Sequence, residues 1–250
     1  MVDMIKLISI VIPIHNESGN IIKLIQDIKK ALQPFFENYE ILVVDDGSND
    51  QSSDVLANEK KRTQELRIFR HKSCYGQSSA ILTGVRFARG NIIATLDGDG
   101  QNNPTDIPKM VRLLLERHSE NYQMIVGQRK KRQDSCLRRV SSIIANKIRQ
   151  FILHDHISDT GCGLKVFYKD AFLKLPCFDH MHRFLPALIQ NQGGKTLSVQ
   201  VDHRPRVCGL SHYGTLGRLS VGIVDLFGVL WLKKRSKTVF VEEYKGNYDK

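Results

Sequence analysis

Three oxygen-bearing side chains, Asp97, Asp99 and Gln101, fall at alternate positions in the stretch ATLDGDGQNNP at residues 94–104. Carboxylate oxygens are hard ligands that suit Mg²⁺ or Mn²⁺, ions that commonly bridge to the phosphates of a substrate. In an extended segment Asp97 and Asp99 would project from one face, and Gln101 can add a neutral oxygen. Gly98 and Gly100 leave room for a bulky ligand and permit a sharp turn. Taken alone, the same run also reads as a solvated turn, since Asp and Gly are turn formers.

Such residues need a rigid edge to stand on. Residues 92–96 (IIATL) read as a short buried strand that delivers Asp97 at its end, and Pro104 is placed to open a helix at its first position. Upstream, residues 7–14 (LISIVIPI) form a nearly continuous apolar run, as in a strand buried on both faces. Ile21, Leu24, Ile25, Ile28 and Leu32 then make one helical stripe. Residues 39–44 (YEILVV) predict a second strand ending in Asp45-Asp46-Gly47-Ser48, with Asn49 and Asp50 as caps for the next helix. Residues 67–70 predict a third strand and residues 76–89 another helix.

This alternation implies a layered α/β fold with a mostly parallel sheet, in which ligands sit beyond the carboxyl ends of the strands. Three of those ends carry acids: Glu17, the Asp45/Asp46 pair and the Asp97/Asp99 pair. Gathered on one edge, they would repel one another unless a cation or hydrogen-bond donors intervened. A metal-nucleotide site is the expectation.

The chain of 250 residues is long enough for one large domain and does not require two. Its formal net charge of +11 suggests an anionic partner. Five scattered cysteines without a C-x-x-C pair predict reduced thiols, a cytoplasmic setting and no zinc site. The start of the sequence shows no signal-peptide pattern, and no apolar run approaches the ~20 residues of a membrane span.

Two segments point to a membrane surface. Arg129, Lys130, Lys131, Arg132, Arg138, Arg139, Lys147 and Arg149 face a single acid, Asp134, while Val140, Ile144, Ile148 and Phe151 recur at helical spacing. A basic amphipathic helix suits an anionic bilayer, although a core-facing stripe with a solvated basic back has the same pattern. Residues 219–232 (LSVGIVDLFGVLWL) are the most apolar stretch, too short to span but able to lie in an interface or dock on the domain. The expected organisation is a catalytic domain over residues 1–215, an interfacial or docking helix over 216–235 and a polar tail over 236–250.

The motifs together carry a resemblance. Pro13-x-His15-Asn16-Glu17, VVDDGS at 43–48 and DGDGQNNP at 97–104 resemble glycosyltransferase family 2 with its GT-A nucleotide-sugar fold. Gly127-Gln128-Arg129, Arg138-Arg139 with residues 141–146, the Asp159-to-Gly163 run and the Gly209-to-Gly214 run look like the dolichol-phosphate mannose synthase branch, the polyprenyl-phosphate glycosyltransferases.

The resemblance implies inverting transfer from a nucleotide sugar, GDP-mannose or a UDP-sugar, to a dolichyl or undecaprenyl phosphate. Pro13, His15, Glu17, Asp45 and Asp46 would line the base and ribose pocket. Asp97 would lie at the ribose-diphosphate junction, and Asp99 and Gln101, with Asp97 beside them, would hold Mg²⁺ or Mn²⁺. Arg129, Arg139, Arg206, Ser211 and His212 would meet phosphates of donor or acceptor. Asp159 would be the base for a hydroxyl acceptor, or would hold the acceptor loop if the acceptor is a phosphate. Departures from the branch pattern are His15 where Tyr is common, His212 where Lys is common, and Lys165 where Arg is common. A peripheral protein on the cytoplasmic face of a membrane follows, with room for a separate membrane subunit. The competing readings are a family 2 enzyme with a saccharide or protein acceptor, a catalytically dead scaffold, and a basic nucleic-acid-binding module. The intact Asp97, Asp99 and Gln101 weigh against the scaffold. The nucleic-acid reading suffers because the basic cluster is interleaved with aliphatics rather than stacking aromatics.

Overall fold

The computed structural model describes residues 7–130, 149–150, 152–153, 155, 157–205 and 215–236, with side chains in the last segment described from residue 222. Seven strands form one sheet: β1 (Ile8–Ile14), β2 (Tyr39–Asp45), β3 (Leu66–Arg70), β4 (Ile92–Thr95), β5 (Tyr122–Arg129), β6 (Lys165–Tyr168) and β7 (Lys195–Val201). Their spatial order is β3-β2-β1-β4-β6-β5-β7. Neighbours in β3-β2-β1-β4 are parallel, β6 runs antiparallel to β4 and β5, and β7 is again parallel to β5. The sheet is thus mostly parallel, as the strand-helix alternation predicts, with one reversed strand inserted.

The helices are α1 (Ile21–Leu32), α2 (Ser52–Lys60), α3 (Gln77–Phe87), α4 (Ile107–Glu116), α5 (Lys169–Leu173), α6 (Leu185–Asn191) and α7 (Thr215–Arg235). All seven residues of β1 and of β2 are buried, because helices cover both faces of the sheet. Ile8, Ile10, Ile12 and Ile14 pack into a core with Leu24, Ile25 and Ile28 of α1 and Met110 and Leu114 of α4. On the other face Val11 and Leu42 meet Ile81 and Val85 of α3 and residues of α6. The approach of α3 is close enough that a Cβ on Gly84 would lie 2.3 Å from Val11 Cγ1.

Two expectations about local structure are amended. Pro104 opens a 3₁₀ turn, Pro104–Asp106, which leads into α4. β4 ends at Thr95 and a turn follows at Gly98 and Asp99, so Asp97 and Asp99 are not alternate residues of one extended strand. The predicted helix cap is present in altered form: Asp50 Oδ1 accepts the Ser52 N–H at 2.9 Å from just ahead of α2.

Strand direction decides where the loops emerge. Arg129 pairs with Val201 across β5 and β7, and Thr95 pairs with Lys165 across β4 and β6. The ends of β1, β2, β4, β5 and β7 and the start of the reversed β6 therefore share one edge.

Candidate active site

Loops following β1, β2 and β4 meet on Ile14. The Asp46 N–H donates to the Ile14 carbonyl at 2.8 Å. Gly98 lies against the same residue, so closely that a Cβ would come within 2.6 Å of Ile14 Cγ2. The acidic strand ends are thus assembled on one edge, as their sequence positions predict.

The first acidic pair is saturated by the protein. Asp45 accepts the Ser48 N–H and the Ser53 hydroxyl, each at 2.8 Å. Asp46 accepts N–H groups of Tyr75 at 2.9 Å and Gly76 at 2.7 Å, with His71 Nδ1 at 2.7 Å and the Cys74 thiol at 3.3 Å. Burial alone would raise the pKa of Asp46, but these donors together lower it below the ordinary value. Gly47, with φ +68°, lets the loop turn under the backbone of Ser73, 2.5 Å from where a Cβ would stand. His15 Nδ1 lies 2.8 Å from the Asp46 carbonyl, which requires a proton on Nδ1 and leaves Nε2 to accept from Asn16 Nδ2 at 3.3 Å. Glu17 accepts from Asn20 Nδ2 at 2.7 Å, and its N–H donates to Ser52 Oγ at 3.1 Å. Pro13 is buried within β1 and contributes its backbone to this edge.

The second pair is placed differently. Asp97 Oδ1 accepts from Gln77 Nε2 at 2.8 Å, at the start of α3. Gly76, the preceding residue, donates to Asp46, so consecutive residues of one turn reach both acidic pairs. Gly163 crosses directly above the Asp97 carboxyl, where a Cβ would lie 2.3 Å from it. Burial, and then the charge of Asp99, push the Asp97 carboxyl up to about 6, against the opposing pull of Lys165, Gln77 and Arg129. Asp99 Oδ1 accepts the Gln101 N–H at 3.1 Å.

Among the described residues no three His, Cys, Asp or Glu side chains group as a metal site. The fit to a divalent ion is nevertheless good. Two mutually repelling carboxylates are relieved by a cation. The Gln101 amide directs its NH₂ at the Arg204 carbonyl, 3.5 Å away, which keeps Oε1 out of that contact and available as a ligand. Such a set would supply part of a coordination shell and leave the remainder to a substrate's phosphates.

Arg129, at the end of β5, grips Asp159 through Nε and Nη2 at 2.7 Å each, and its N–H reaches the same carboxylate at 3.2 Å. Nη1 stands outside this pair. Lys165 is buried at the start of β6 and donates to the Cys162 carbonyl. Burial lowers its pKa, while Cys162, Asp97 and Asp159 pull in the other direction.

Arg139, Arg206, Ser211 and His212 lie outside the described residues, as does most of the basic stretch. The described ends of that stretch are engaged with acids: Lys130 with Asp202 at 3.2 Å and Arg149 with buried Asp155 at 2.5 Å. Residues 215–235 are helical throughout, so the apolar stretch belongs to a longer helix than its hydrophobic core suggests. One face of α7 packs on the domain through Val229, Leu226 and Leu230, with Asp225 3.1 Å from His180 Nδ1. No described helix is long and apolar enough to cross a membrane.

Motif reading misses Gln77, Gly163 as a close neighbour of Asp97, and the contact of Ser78 Oγ with His182 Nδ1 at 2.8 Å. A usable signal exists for the first: polar residues just after Gly76 open a helix on the active edge of a parallel sheet.

The model of glycosyl transferase family 2 matches residues 9–175, from β1 through α5. The chain belongs to glycosyltransferase family 2. Among curated members of the family, it is 32% identical over 214 residues to the undecaprenyl-phosphate 4-deoxy-4-formamido-L-arabinose transferase of Aeromonas hydrophila, covering 85% of this chain and 64% of that protein. It is 34% identical over 234 residues to the dodecaprenyl-phosphate galacturonate synthase of Rhizobium johnstonii, covering 91% of this chain and 67% of that protein. The chain thus spans about two thirds of the length of these relatives. The glucosyl-3-phosphoglycerate synthase of Mycobacterium tuberculosis, solved with Mn²⁺, UDP and glucosyl-3-phosphoglycerate, superposes with a TM-score of 0.63 at 16% identity over 91% of this chain and 79% of that one. The mannosyl-3-phosphoglycerate synthase of Rubrobacter xylanophilus gives 0.64 at 17% identity over 98% and 80%. The glycosyltransferase family 2 chain therefore has the GT-A fold that its motifs imply.

Proposed function

We propose that this chain transfers a sugar, with inversion, from a nucleotide sugar to a polyprenyl phosphate at the edge where Asp46, Asp97, Arg129 and Asp159 meet. The observation that carries the choice of acceptor is the Arg129–Asp159 pair. A hydroxyl acceptor needs a carboxylate able to take its proton, and Asp159 is instead held at two points by a guanidinium. A phosphate monoester has a second pKa of ~6, so it is already an anionic nucleophile at pH 7 and needs no strong base. The names of the two curated relatives, both polyprenyl-phosphate sugar transferases, support the same acceptor class.

Each part of the edge then has a task. The loop built on Asp46 presents His15 and Glu17 to the base and ribose. Asp97, braced by Gln77 and covered by Gly163, stands at the junction of ribose and diphosphate. A divalent ion held by Asp99 and Gln101 beside Asp97 would supply Lewis acidity to the departing diphosphate. Asp159 orients Arg129, whose guanidinium offers fixed positive charge to a phosphate. Arg139, Arg206, Ser211 and His212 complete the phosphate contacts.

The lipid acceptor is met at the bilayer surface. On α7, Ile223, Val224, Phe227 and Trp231 are 48–70% exposed along one side, followed by Lys233, Lys234 and Arg235. An apolar stripe ending in Trp and cations suits the headgroup boundary of an anionic membrane, where each cation contributes about 1 kcal/mol. These features support a peripheral position on a membrane, in our reading on its cytoplasmic face.

The test is incubation with Mn²⁺, radiolabelled GDP-mannose and UDP-sugars, and undecaprenyl or dolichyl phosphate in anionic vesicles. Label should enter the organic phase for at least one donor. Label appearing only on added saccharide would overturn the lipid acceptor, and no transfer from any donor would overturn the reading as a whole.

A further inference from the structure

The segment between β7 and residue 206 is bound along its length to the carboxylate loop. The Asp202 N–H donates to Asp106 Oδ2 at 2.8 Å, and His203 pairs with Asn102 in an isolated β-bridge. The Arg204 N–H donates to the Gln101 carbonyl at 2.8 Å, while the Gln101 side chain points its NH₂ at the Arg204 carbonyl. The guanidinium of Arg204 then divides its fork. Nη1 binds Asp27 Oδ2 of α1 at 2.5 Å, and Nη2 binds Asn103 Oδ1 of the carboxylate loop at 2.8 Å. Asn103 Oδ1 also receives the Thr105 N–H that starts the turn into α4.

We propose that Arg204 is a positioning residue: it clamps the loop carrying Asp99 and Gln101 to α1 and fixes the direction in which the Gln101 amide oxygen points. The proposal rests on the reading of Asp99 and Gln101 as ligands of the divalent ion. Three features favour positioning over simple surface pairing. The contacts join segments about 75 and 100 residues apart in sequence to a third, 177 residues away in the case of Asp27. Gly100, with φ +72° and nothing within 4 Å of its Cβ position, adds no packing at the turn between Asp99 and Gln101. The planar fork also serves two acceptors on different segments, which a lysine ammonium on a flexible stem does not reproduce. Residues that orient metal ligands without touching the ion typically affect metal affinity by about 10–100-fold.

The experiment compares wild type with Arg204→Met, Arg204→Lys and Asn103→Ala. Mn²⁺ affinity is measured by electron paramagnetic resonance with saturating UDP or GDP, nucleotide affinity is measured in EDTA, and amide hydrogen exchange is followed in the ligand-free protein. Arg204→Met and Asn103→Ala should weaken Mn²⁺ binding about tenfold or more, with Arg204→Lys in between and metal-free nucleotide binding unchanged. Exchange should accelerate at residues 98–103 and stay as in wild type across β1 and β2. If wild type binds Mn²⁺ and the variants bind it equally well, the proposal is overturned whatever the exchange shows. If wild type itself does not bind Mn²⁺, the metal reading fails, and exchange alone decides whether the clamp orders the loop. Unchanged exchange there would overturn it.

Discussion

Two aspartate pairs lie at or just beyond the ends of β2 and β4, which flank β1 in one sheet, yet their surroundings differ. Asp45 and Asp46 are met by backbone N–H groups, a hydroxyl, an imidazole and a thiol. Asp97 accepts from the Gln77 side chain and Asp99 from the Gln101 N–H, while burial and the charge of Asp99 raise the pKa of Asp97 where that of Asp46 is lowered. A carboxylate satisfied by its own protein builds a loop. On the proposed reading, a bound cation would relieve the repulsion between Asp97 and Asp99. The contrast separates architecture from chemistry at an edge where composition alone makes every acid look the same.

The sharpest way to break this contrast is to remove one member of each pair. Asp99→Ala should reduce sugar transfer by about 10²–10³-fold, the scale for losing a preorganised electrostatic group. Its melting temperature should be unchanged or slightly higher, since a like charge beside Asp97 is gone. Asp46→Ala should do the reverse in emphasis. It leaves the Tyr75 and Gly76 N–H groups and His71 without their acceptor, and should destabilise the fold by about 3 kcal/mol. That corresponds to roughly 6–12 °C for a chain of this size. Equal melting temperatures for the two variants would erase the distinction.

Ligand addition sharpens the same comparison with a smaller effect. Mn²⁺ with UDP or GDP at about 100 times the dissociation constant should stabilise wild type by about 2.7 kcal/mol, or roughly 5–10 °C. Asp99→Ala should lose the metal-dependent part of that shift, measured as the difference between scans with Mn²⁺ and with EDTA. A shift of the same size in the variant would place the ion elsewhere.

Much of the fold is legible in the sequence because burial on both faces leaves continuous apolar runs. Residues 7–14 and 39–44 have no alternative as solvated segments, and α1 shows its stripe from Ile21 to Leu32. The reversed strand β6 is not legible: four residues, KVFY, carry no direction, and only pairing with β4 and β5 supplies it. The acids of the site are legible by type and place. Their division of labour is not, because the donors that satisfy Asp46 come from residues 71–76, on the far side of β3. Nor does the pattern around Arg129 reveal that Asp159 holds it, since a bidentate pair between residues 30 apart is a product of strand order.

The smallest effect is the pH dependence that the saturated pair imposes. Asp46 titrates below its ordinary value in the folded chain, so between the folded and unfolded pKa values the unfolded chain binds more protons. Its stabilisation is fully present above the unfolded value near 4 and is lost as pH falls through the folded one. Asp50, lowered to about 2 by its hydrogen bonds to Ser52 and Ser18 against the opposing effect of burial, has the same sign. Below pH 4 Asp97 keeps its proton in the folded chain, so the acid limb reports the loop-building acids. Urea denaturation in EDTA between about pH 2.5 and 4 should therefore give a midpoint that rises with pH. Asp46→Asn should flatten part of that rise and leave the portions due to Asp50 and to Glu40, whose pKa is also lowered. An acid limb as steep in the variant as in wild type would mean that Asp46 is no better satisfied than Asp97, and the difference between the two pairs would have to be sought in something other than their donors.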